Sequence, residues 1–485
     1  MRSKLTLAVA ATLLLGGCVT LGPDYQRPPA PLLAEDHWTL PLTLQTLVLD
    51  AAWWEAFGDP ALDTLIVDAL ANNNDVLLAA ARLAEAEALA RRAGAERLPS
   101  LGVDASASKG DSVSGFGGLS GESDPTITTT RRALAATIDF ELDLFGRLRR
   151  ADEAAAAELA AQEETVRAVE LAVSAAVARA YIDVIGLQLE HRLLMEAMER
   201  RGAFLELQQQ RFAAGVIAGV DLDRAEAEYH AASAALPQSE LAERLALQRL
   251  LVLLGRPPID IVHQVTLGTG LPKLPEVPAG LPSELLERRP DLLAAERRLA
   301  AATARIGVAK AELFPRLSLT GDFGRESLEL GSFVSASSGV WNASAQLLGS
   351  IFGFGRGKAR VAAAEARAEQ ALITWRQSIL DAFAEVEGAL AERQLLEARR
   401  LGLEGQATAL ERVLAAEQQR YEAGDSSALE LLDAERSLLS SRSAALAAER
   451  QTLLASVDLM VALGGGWASK SPASNTGAAI EPTDD

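Results

Sequence analysis

RYEAGDSSALELLDAE, Arg420 to Glu435, is the stretch whose reading decides the fold. Gly424 is the residue type that takes the left-handed conformation closing a helix at least cost. Ser427 and Glu430 then make an S-x-x-E capping box, which opens a second helix. The segment is therefore a tight helical hairpin with acidic residues at its tip. An earlier copy, RFAAGVIAGVDLDRAE, runs from Arg211 to Glu226 and puts Gly215 in the closing position. The offset between the copies, 424 minus 215, is 209 residues, and it also relates Phe145-Gly146-Arg147 to Phe354-Gly355-Arg356. Two helical hairpins thus point their tips the same way.

Outward from the tips the helices are long. One of about 65 residues, on the order of 100 Å at 1.5 Å per residue, is expected from Arg147 to Ala214. Val166, Val169, Val173, Val177 and Tyr181 lie on one stripe of it. The returning helix reaches about Leu254, and Pro237 predicts a kink within it. The later long helix runs to about Ala423, with Ile379, Phe383, Val386 and Leu390 on its stripe.

Before each long helix the period falls to two, the signature of strands with one apolar and one polar face. Leu101, Val103, Ala105 and Ala107 alternate with Gly102, Asp104, Ser106 and Ser108. Leu134, Ala136, Ile138, Phe140 and Leu142 make the second apolar face. Leu317, Leu319, Gly321 and Phe323 make the third, and Trp341, Ala343, Ala345 and Leu347 the fourth. Ahead of the hairpins, ERRLAAATARIGVAKAELFPRLSL matches AARLAEAEALARRAGAERLPSL, with an offset of 216 at the prolines (315 minus 99). The two offsets differ within the strand hairpin, where insertions are tolerated.

The chain divides accordingly. Residues 1–17 read as a signal peptide and 18–58 as an extended N-terminal arm. The first repeat, 59–254, holds a helix from the Asp59-Pro60 start to about Leu98, a β-hairpin at 100–144 and a helical hairpin with its tip near 215–221. Residues 255–282 are a Pro- and Gly-rich linker. The second repeat, 283–467, has its β-hairpin at 316–350 and its tip near 424–430. The small polar composition of 468–485 predicts a disordered tail.

A net charge of −20 over 485 residues argues against nucleic acid as a partner. The single cysteine, Cys18, allows no intrachain disulfide. Arg2 and Lys4 precede the apolar run Leu5 to Leu15, which is too short for a permanent membrane span. Leu15-Gly16-Gly17-Cys18 resembles a bacterial lipoprotein box, which implies cleavage before Cys18 and acyl and diacylglycerol groups upon it. Val19 follows where aspartate favours the inner membrane, so the outer membrane is expected. An ordinary signal peptide with a chance cysteine is the alternative. Acyl chains anchor at about 0.8 kcal/mol per buried CH₂.

No other apolar run is long enough for a transmembrane helix, and only helices and closed barrels satisfy the backbone in lipid. Strands of about ten residues suit a tilted membrane strand. Four cannot close a barrel, for which about eight is the practical minimum, so a barrel would be shared between chains. A small soluble sheet capping a helical bundle is the alternative.

LGGC, GPDYQRPP, WWEAFGDPALDTLI, ERRPDLLAAERRLAAATARIGVAKAELFPRLSL, FGRGKA, RYEAGDSSALELLDAERSLLSSR and VALGGGW occur in this order. Together they resemble the outer membrane efflux protein family, the TolC-like outer-membrane factors, and within it the NodT-type lipoproteins. The resemblance covers nearly the whole mature chain. It implies a mainly α fold with membrane β: a homotrimeric α-barrel of long coiled helices with a shared twelve-stranded transmembrane β-barrel, four strands per chain. It implies a passive exit channel in outer-membrane lipid, joined by a periplasmic adaptor, or membrane fusion protein, to an inner-membrane RND-type pump.

By the same resemblance Asp221, Glu430 and Asp433 build an acidic periplasmic gate. Threefold symmetry would make them rings of like charge. Helix capping and the helix dipole also favour acids there, which leaves both origins open. Tyr421 matches a family tyrosine that bonds across helices near the gate, or else packs ordinarily. Ser426 stands where some members carry an arginine, so the closing ion pair is absent or moved. Arg224 is the substitute, or else a local partner of Asp221. Gly215, Gly219, Gly424 and Ser427 are the expected adaptor-docking tips, with a plain helix stop as the alternative. His37, His191, His230 and His263 lack metal-binding spacing, and Glu226 with His230 reads as a surface pair. No nucleophile elbow or phosphate loop is present, so neither catalytic residue, metal nor cofactor is expected. A structural periplasmic coiled-coil lipoprotein and a type I secretion duct for proteins are the competing functions.

Overall fold

The structure is a computed structural model that describes residues 20–30, 38, 52–113, 126–259, 265–276, 285–328, 333–335, 338–350 and 352–466. The signal segment, Cys18, His37, His263, the polar tail and parts of the loops and linker lie outside the described residues. The elements in chain order are helices α1 (Pro60–Asn72) and α2 (Asn74–Ala95), strands β1 (Ser100–Val113) and β2 (Thr126–Leu142), and helices α3 (Arg147–Ala213) and α4 (Gly219–Leu253). Then follow α5 (Pro290–Ala311), β3 (Arg316–Ser327), β4 (Gly339–Leu348), α6 (Arg356–Ala423) and α7 (Ala428–Ala462). Helices α3 and α6 have 67 and 68 residues, close to the length expected from their unbroken pattern. Helix α4 continues through Pro237.

Two expectations are corrected. The helix foreseen from Asp59 to about Leu98 is two helices, and the second stops at Ala95. Asp59 does start the first, accepting from the Ala61 amide at 2.9 Å, with Pro60 in the first turn. The break is at Asn73, whose ψ of 132° is extended. Its Oδ1 accepts from the Asp75 amide at 2.8 Å and its Nδ2 donates to the Leu253 carbonyl at 2.8 Å. A short amide side chain that bonds backbone in this way competes with the helix. The arm is also not extended as far as residue 58. Trp53–Phe57 winds into a 3-10 turn that buries Trp53 and Phe57, and Trp53 Nε1 donates to Ser174 Oγ at 3.3 Å.

The chain forms two compact units, and each draws on both repeats. The first comprises Met1–Pro29, Leu83–Gln162 and Ala294–Trp375. Its centre is an antiparallel sheet in the order β1-β2-β3-β4. Opposed residues of an antiparallel pair share a face, and the register aligns the four alternating patterns. Leu101 faces Ile138, which faces Gly321, which faces Ala343. One row along, Val103, Ala136, Phe323 and Trp341 stand in line. The other face carries Gly102, Thr137, Asp322 and Asn342 in one row. One apolar face therefore crosses all four strands, and Phe323 and Trp341 on it are 74% and 78% exposed. The arm is bound to this unit. Leu21 donates its amide to the Phe145 carbonyl at 3.2 Å, and Arg150 reaches Asp24 at 2.6 Å. Tyr25 donates to Glu296 at 3.2 Å, so the arm meets α5 as well.

The second unit comprises Ala30–Arg82, Glu163–Leu293 and Arg376–Asp485. Val173, Val177, Tyr181, Ile379, Phe383, Val386 and Leu390 are buried in it, as their stripes require, while Val166 and Val169 are only half-buried. Tyr181 donates to Asp59 at 2.5 Å and accepts from the Gly268 amide at 3.1 Å, which ties the linker to α3. Burial, reinforced by Asp59, pushes the Tyr181 hydroxyl well above its ordinary pKa. Buried Arg289 reaches Asp291 and Glu385, both at 2.7 Å, and the Ala462 carbonyl at 3.0 Å. Among the described residues no helix is long and apolar enough to cross a membrane.

Candidate functional site

Both helical tips lie in the second unit. Gly215 and Gly424 have φ of +74° and +82°. At each, two bonds close the preceding helix. The Val216 amide donates to the Arg211 carbonyl and the Gly215 amide to that of Phe212, both at 2.9 Å. Their counterparts run from Asp425 to Arg420 at 2.8 Å and from Gly424 to Tyr421 at 3.1 Å. A Cβ on either glycine would meet nothing within 4 Å, so backbone conformation and not crowding requires glycine there. Gly219 opens α4 beside the Phe212 ring.

At the second tip the capping box is formed. Ser427 donates its amide to Glu430 Oε2 at 2.8 Å, and the Glu430 amide donates to Ser427 Oγ at 3.3 Å. Ser426 Oγ lies 2.8 Å from both Glu430 Oε2 and Glu417 Oε2, and its single proton serves one of them at a time. The Ser427 amide first, then the Ser426 hydroxyl, hold Glu430 below the usual carboxylate range. In this turn Ser426 places a hydroxyl between two carboxylates, while Arg420 pairs with Glu417 at 2.6 Å.

Asp221 and Glu430 are mates under the 209-residue offset, and so are Arg224 and Asp433. The repeats therefore agree in charge at the first position and oppose at the second. In the single chain Arg224 takes the local option, 3.5 Å from Asp221. Asp433 lies 3.4 Å from Arg436, again on its own helix.

Tyr421 does bond across helices. Its hydroxyl accepts from Gln208 Nε2 at 2.7 Å and Arg211 Nη1 at 2.6 Å, both on α3. The Arg211 guanidinium sits 5.2 Å from the ring centroid, a cation–π contact. Phe204 and Tyr421 pack against the buried cluster of Leu414, Leu431, Ala434 and Leu438.

Sequence reasoning missed the residues that join the hairpins. Arg436 on α7 donates to Glu228 on α4, and Arg201 on α3 lies 3.4 Å from the same carboxylate. A signal was available: the repeat mates of Arg436 and Glu228 are Ala227 and Ser437, so the two charges belong to opposite copies. Burial pushes the neighbouring Glu435 carboxyl up, against the pull of Arg200 and Arg201. His191 Nδ1 lies 2.7 Å from Ser239 Oγ, and His230 lies 3.7 Å from Glu226, exposed and one turn away. Among the described residues no cluster of three or more metal-ligating side chains occurs.

The outer membrane efflux protein family model matches residues 65–256 and 281–465. The cation efflux system protein CusC of Escherichia coli O6:H1 is 35% identical over 474 residues, spanning 95% of this chain and 98% of its own. The probable outer membrane lipoprotein SilC of Salmonella typhimurium is 32% identical over 468 residues, spanning 95% of this chain and 98% of its own. The MtrE outer membrane channel of Neisseria gonorrhoeae superposes with a TM-score of 0.82 at 30% identity, over 92% of this chain and 98% of that one. The chain belongs to the outer membrane efflux protein family, and it is an exit channel of the outer membrane.

Proposed function

We propose that the protein is the outer-membrane component of a tripartite efflux assembly. Three copies pool their sheets into a twelve-stranded barrel and their long helices into an α-barrel duct. A diacylglycerol-modified and acylated Cys18 anchors each copy, a reading supported by the lipoprotein name of SilC. An RND-type inner-membrane pump delivers the substrate, and a periplasmic adaptor docks on the tips at Gly215, Gly219, Gly424 and Ser427. Transport through the duct is passive, and the pump sets the cargo.

The observation that carries this reading is the sheet: an apolar face continuous over four strands, with β1 and β4 left as edges. Lipid accepts such a sheet only when it is closed. Asp221, Glu430 and Asp433 form the gate, in rings of like charge that attract cations and repel one another. Tyr421 and the Arg436–Glu228 pair hold the tips together, and Arg224 answers Asp221 within each copy.

The test is Glu430→Ala with Asp433→Ala in planar bilayers. A higher conductance and a weaker cation preference are expected. Unchanged conductance and selectivity would remove these residues from the gate. SDS-resistant, heat-modifiable trimers separate the channel from a structural coiled-coil lipoprotein.

A further inference from the structure

A groove of about 300 Å³ runs between α5 and α6 in the first unit. The two helices are antiparallel, since Lys310 pairs with Glu365 at 3.2 Å and Glu312, just past α5, with Arg360 at 2.7 Å. Along such a pair, a step back on one helix faces an equal step forward on the other. From Glu312 and Arg360, one step of two turns leads to Arg305 and Arg367 (312 minus 305 and 367 minus 360 are both seven). Val308 and Ala364 lie between the two rungs, and all six residues line the groove. The first rung joins opposite charges. The second, about 10 Å further along, sets two arginines against each other.

Nearby carboxylates do not balance the second rung. Arg305 meets Glu158 of α3 at 2.8 Å, which occupies one of its five donors. Arg367 is exposed and pairs with no carboxylate among the described residues. Glu312 is itself shared, because Arg316 lies 3.7 Å from it. Four arginines therefore draw on Glu158 and Glu312, in a chain whose net charge is −20. The floor beneath them is apolar, with Ala364 only 7% exposed. Guanidinium forks above an apolar floor suit a molecule with an anionic head and an apolar body.

This inference rests on the closed-barrel reading above, which decides where the groove opens. At about 3.6 residues per turn, Arg305 and Glu312 fall on the side of α5 opposite Gly307 and Lys310. The N-terminal arm covers that other side, where a Cβ on Gly307 would come within 2.7 Å of the Leu21 carbonyl. Leu21, Phe314, Lys310 and Lys358 line a second groove there. Arg316, which Glu312 reaches, instead shares the polar strand face of Ser318 and Asp322. The polar face of a closed membrane barrel lines its lumen. We propose that the rung of Arg305 and Arg367 is a transit site in the duct wall for amphipathic organic anions, aromatic sulfonates or carboxylates among them. The two guanidiniums take the anionic head, and the apolar body lies along Val308 and Ala364. The groove is open and the arginines are exposed, so the cargo is held weakly enough to leave again.

Single-channel recording of the full-length protein in planar bilayers tests the site. The probes are naphthalene-1-sulfonate and, as a cation of similar size, naphthylmethylammonium, each applied from either side. The sulfonate should block the current at concentrations where the ammonium does not. Arg367→Gln should raise the half-blocking sulfonate concentration by about tenfold. Lys358→Gln removes the same charge from the second groove and should change that concentration by less than about twofold. Equal weakening by Lys358→Gln, or an equal block by the ammonium, overturns the site and leaves only general charge or apolar bulk. A channel that the sulfonate does not block overturns the site and leaves the duct standing. A chain that gives no channels at all overturns the duct, and the site with it.

Discussion

Arg436 on α7 donates to the Glu228 carboxylate on α4, and this pair joins the hairpin behind Gly424 to the hairpin behind Gly215. Glu228 also meets Arg201, so one carboxylate is shared by three helices. The partners differ in exposure: the Arg436 side chain is 58% exposed and that of Glu228 17%. Removing Arg436 leaves Glu228 with Arg201, whereas neutralising Glu228 removes the paired charge from an arginine that is 9% exposed and leaves it the Glu228 backbone carbonyl at 3.3 Å. Glu228→Gln is therefore expected to destabilise by about 2 kcal/mol and Arg436→Ala by about 1 kcal/mol. Thermal denaturation measures the order, and the reverse order would refute the shared carboxylate. Both substitutions should raise channel conductance.

Tyr421→Phe keeps the ring on its leucine cluster and removes the acceptor for Gln208 and Arg211. Two donors lose one oxygen, at about 1–3 kcal/mol. Hydrogen exchange at the ends of α3 and α6 should quicken with no change in the sheet. Equal protection in both proteins would make the hydroxyl dispensable.

The capping box has a pH signature. Glu430 has its folded pKa below the unfolded one, so its stabilisation is present above the usual carboxylate range and disappears as pH falls through the depressed folded value. Amide exchange at the start of α7 should therefore accelerate only in acid, after correction for intrinsic rates. Glu430→Gln should abolish that dependence. Glu435 has the opposite sign, because burial raises its folded pKa. Its stabilisation is complete below the unfolded pKa and is lost as pH rises through the folded value, so Glu435→Gln should stabilise the tip at neutral pH.

Gly424→Ala and Gly215→Ala meet no steric obstacle and suffer only from positive φ. Each should cost about 1 kcal/mol, and asparagine, which tolerates this conformation, should cost less. Equal losses for alanine and asparagine would point to contacts with another chain instead of backbone strain.

The repeat offsets of 209 and 216 carry Phe145 and Phe314 to Phe354 and Leu98, so in the trimeric barrel proposed above Leu98→Phe would recreate between copies the ring stack that Phe145 makes with Phe314. Trimers of this variant should withstand SDS to a higher temperature, by about 0.5–1.5 kcal/mol per ring pair. Phe354→Ala in the same background should cancel the gain. A gain that survives Phe354→Ala would place Leu98 against something else.

Local and repeated features were legible in the residues. Gly215, Gly424, Ser427 and Asp59 act through bonds to backbone a few positions away, so their roles follow from spacing alone. The strand faces were legible because a two-residue period assigns each side chain to a face before any partner is known. Asn73 carried a signal, three asparagines in a row, that the surrounding alanine- and leucine-rich pattern overrode.

By itself, then, the sequence determined the long helices, the four strands, the glycine turns at both tips and which strand faces are apolar, since these depend on neighbours along the chain, but not the break at Asn73 or the turn at Trp53–Phe57. Only the tertiary structure decided that Tyr421 meets Gln208 and Arg211, and that Arg436 meets Glu228. Those partners lie some 210 residues apart, at |i−j| of 213, 210 and 208, and a long charged side chain reaches several neighbours from one helix face. Which of them it takes depends on how the helices are rotated against one another, and that rotation is set by the buried leucine and alanine contacts of the whole bundle.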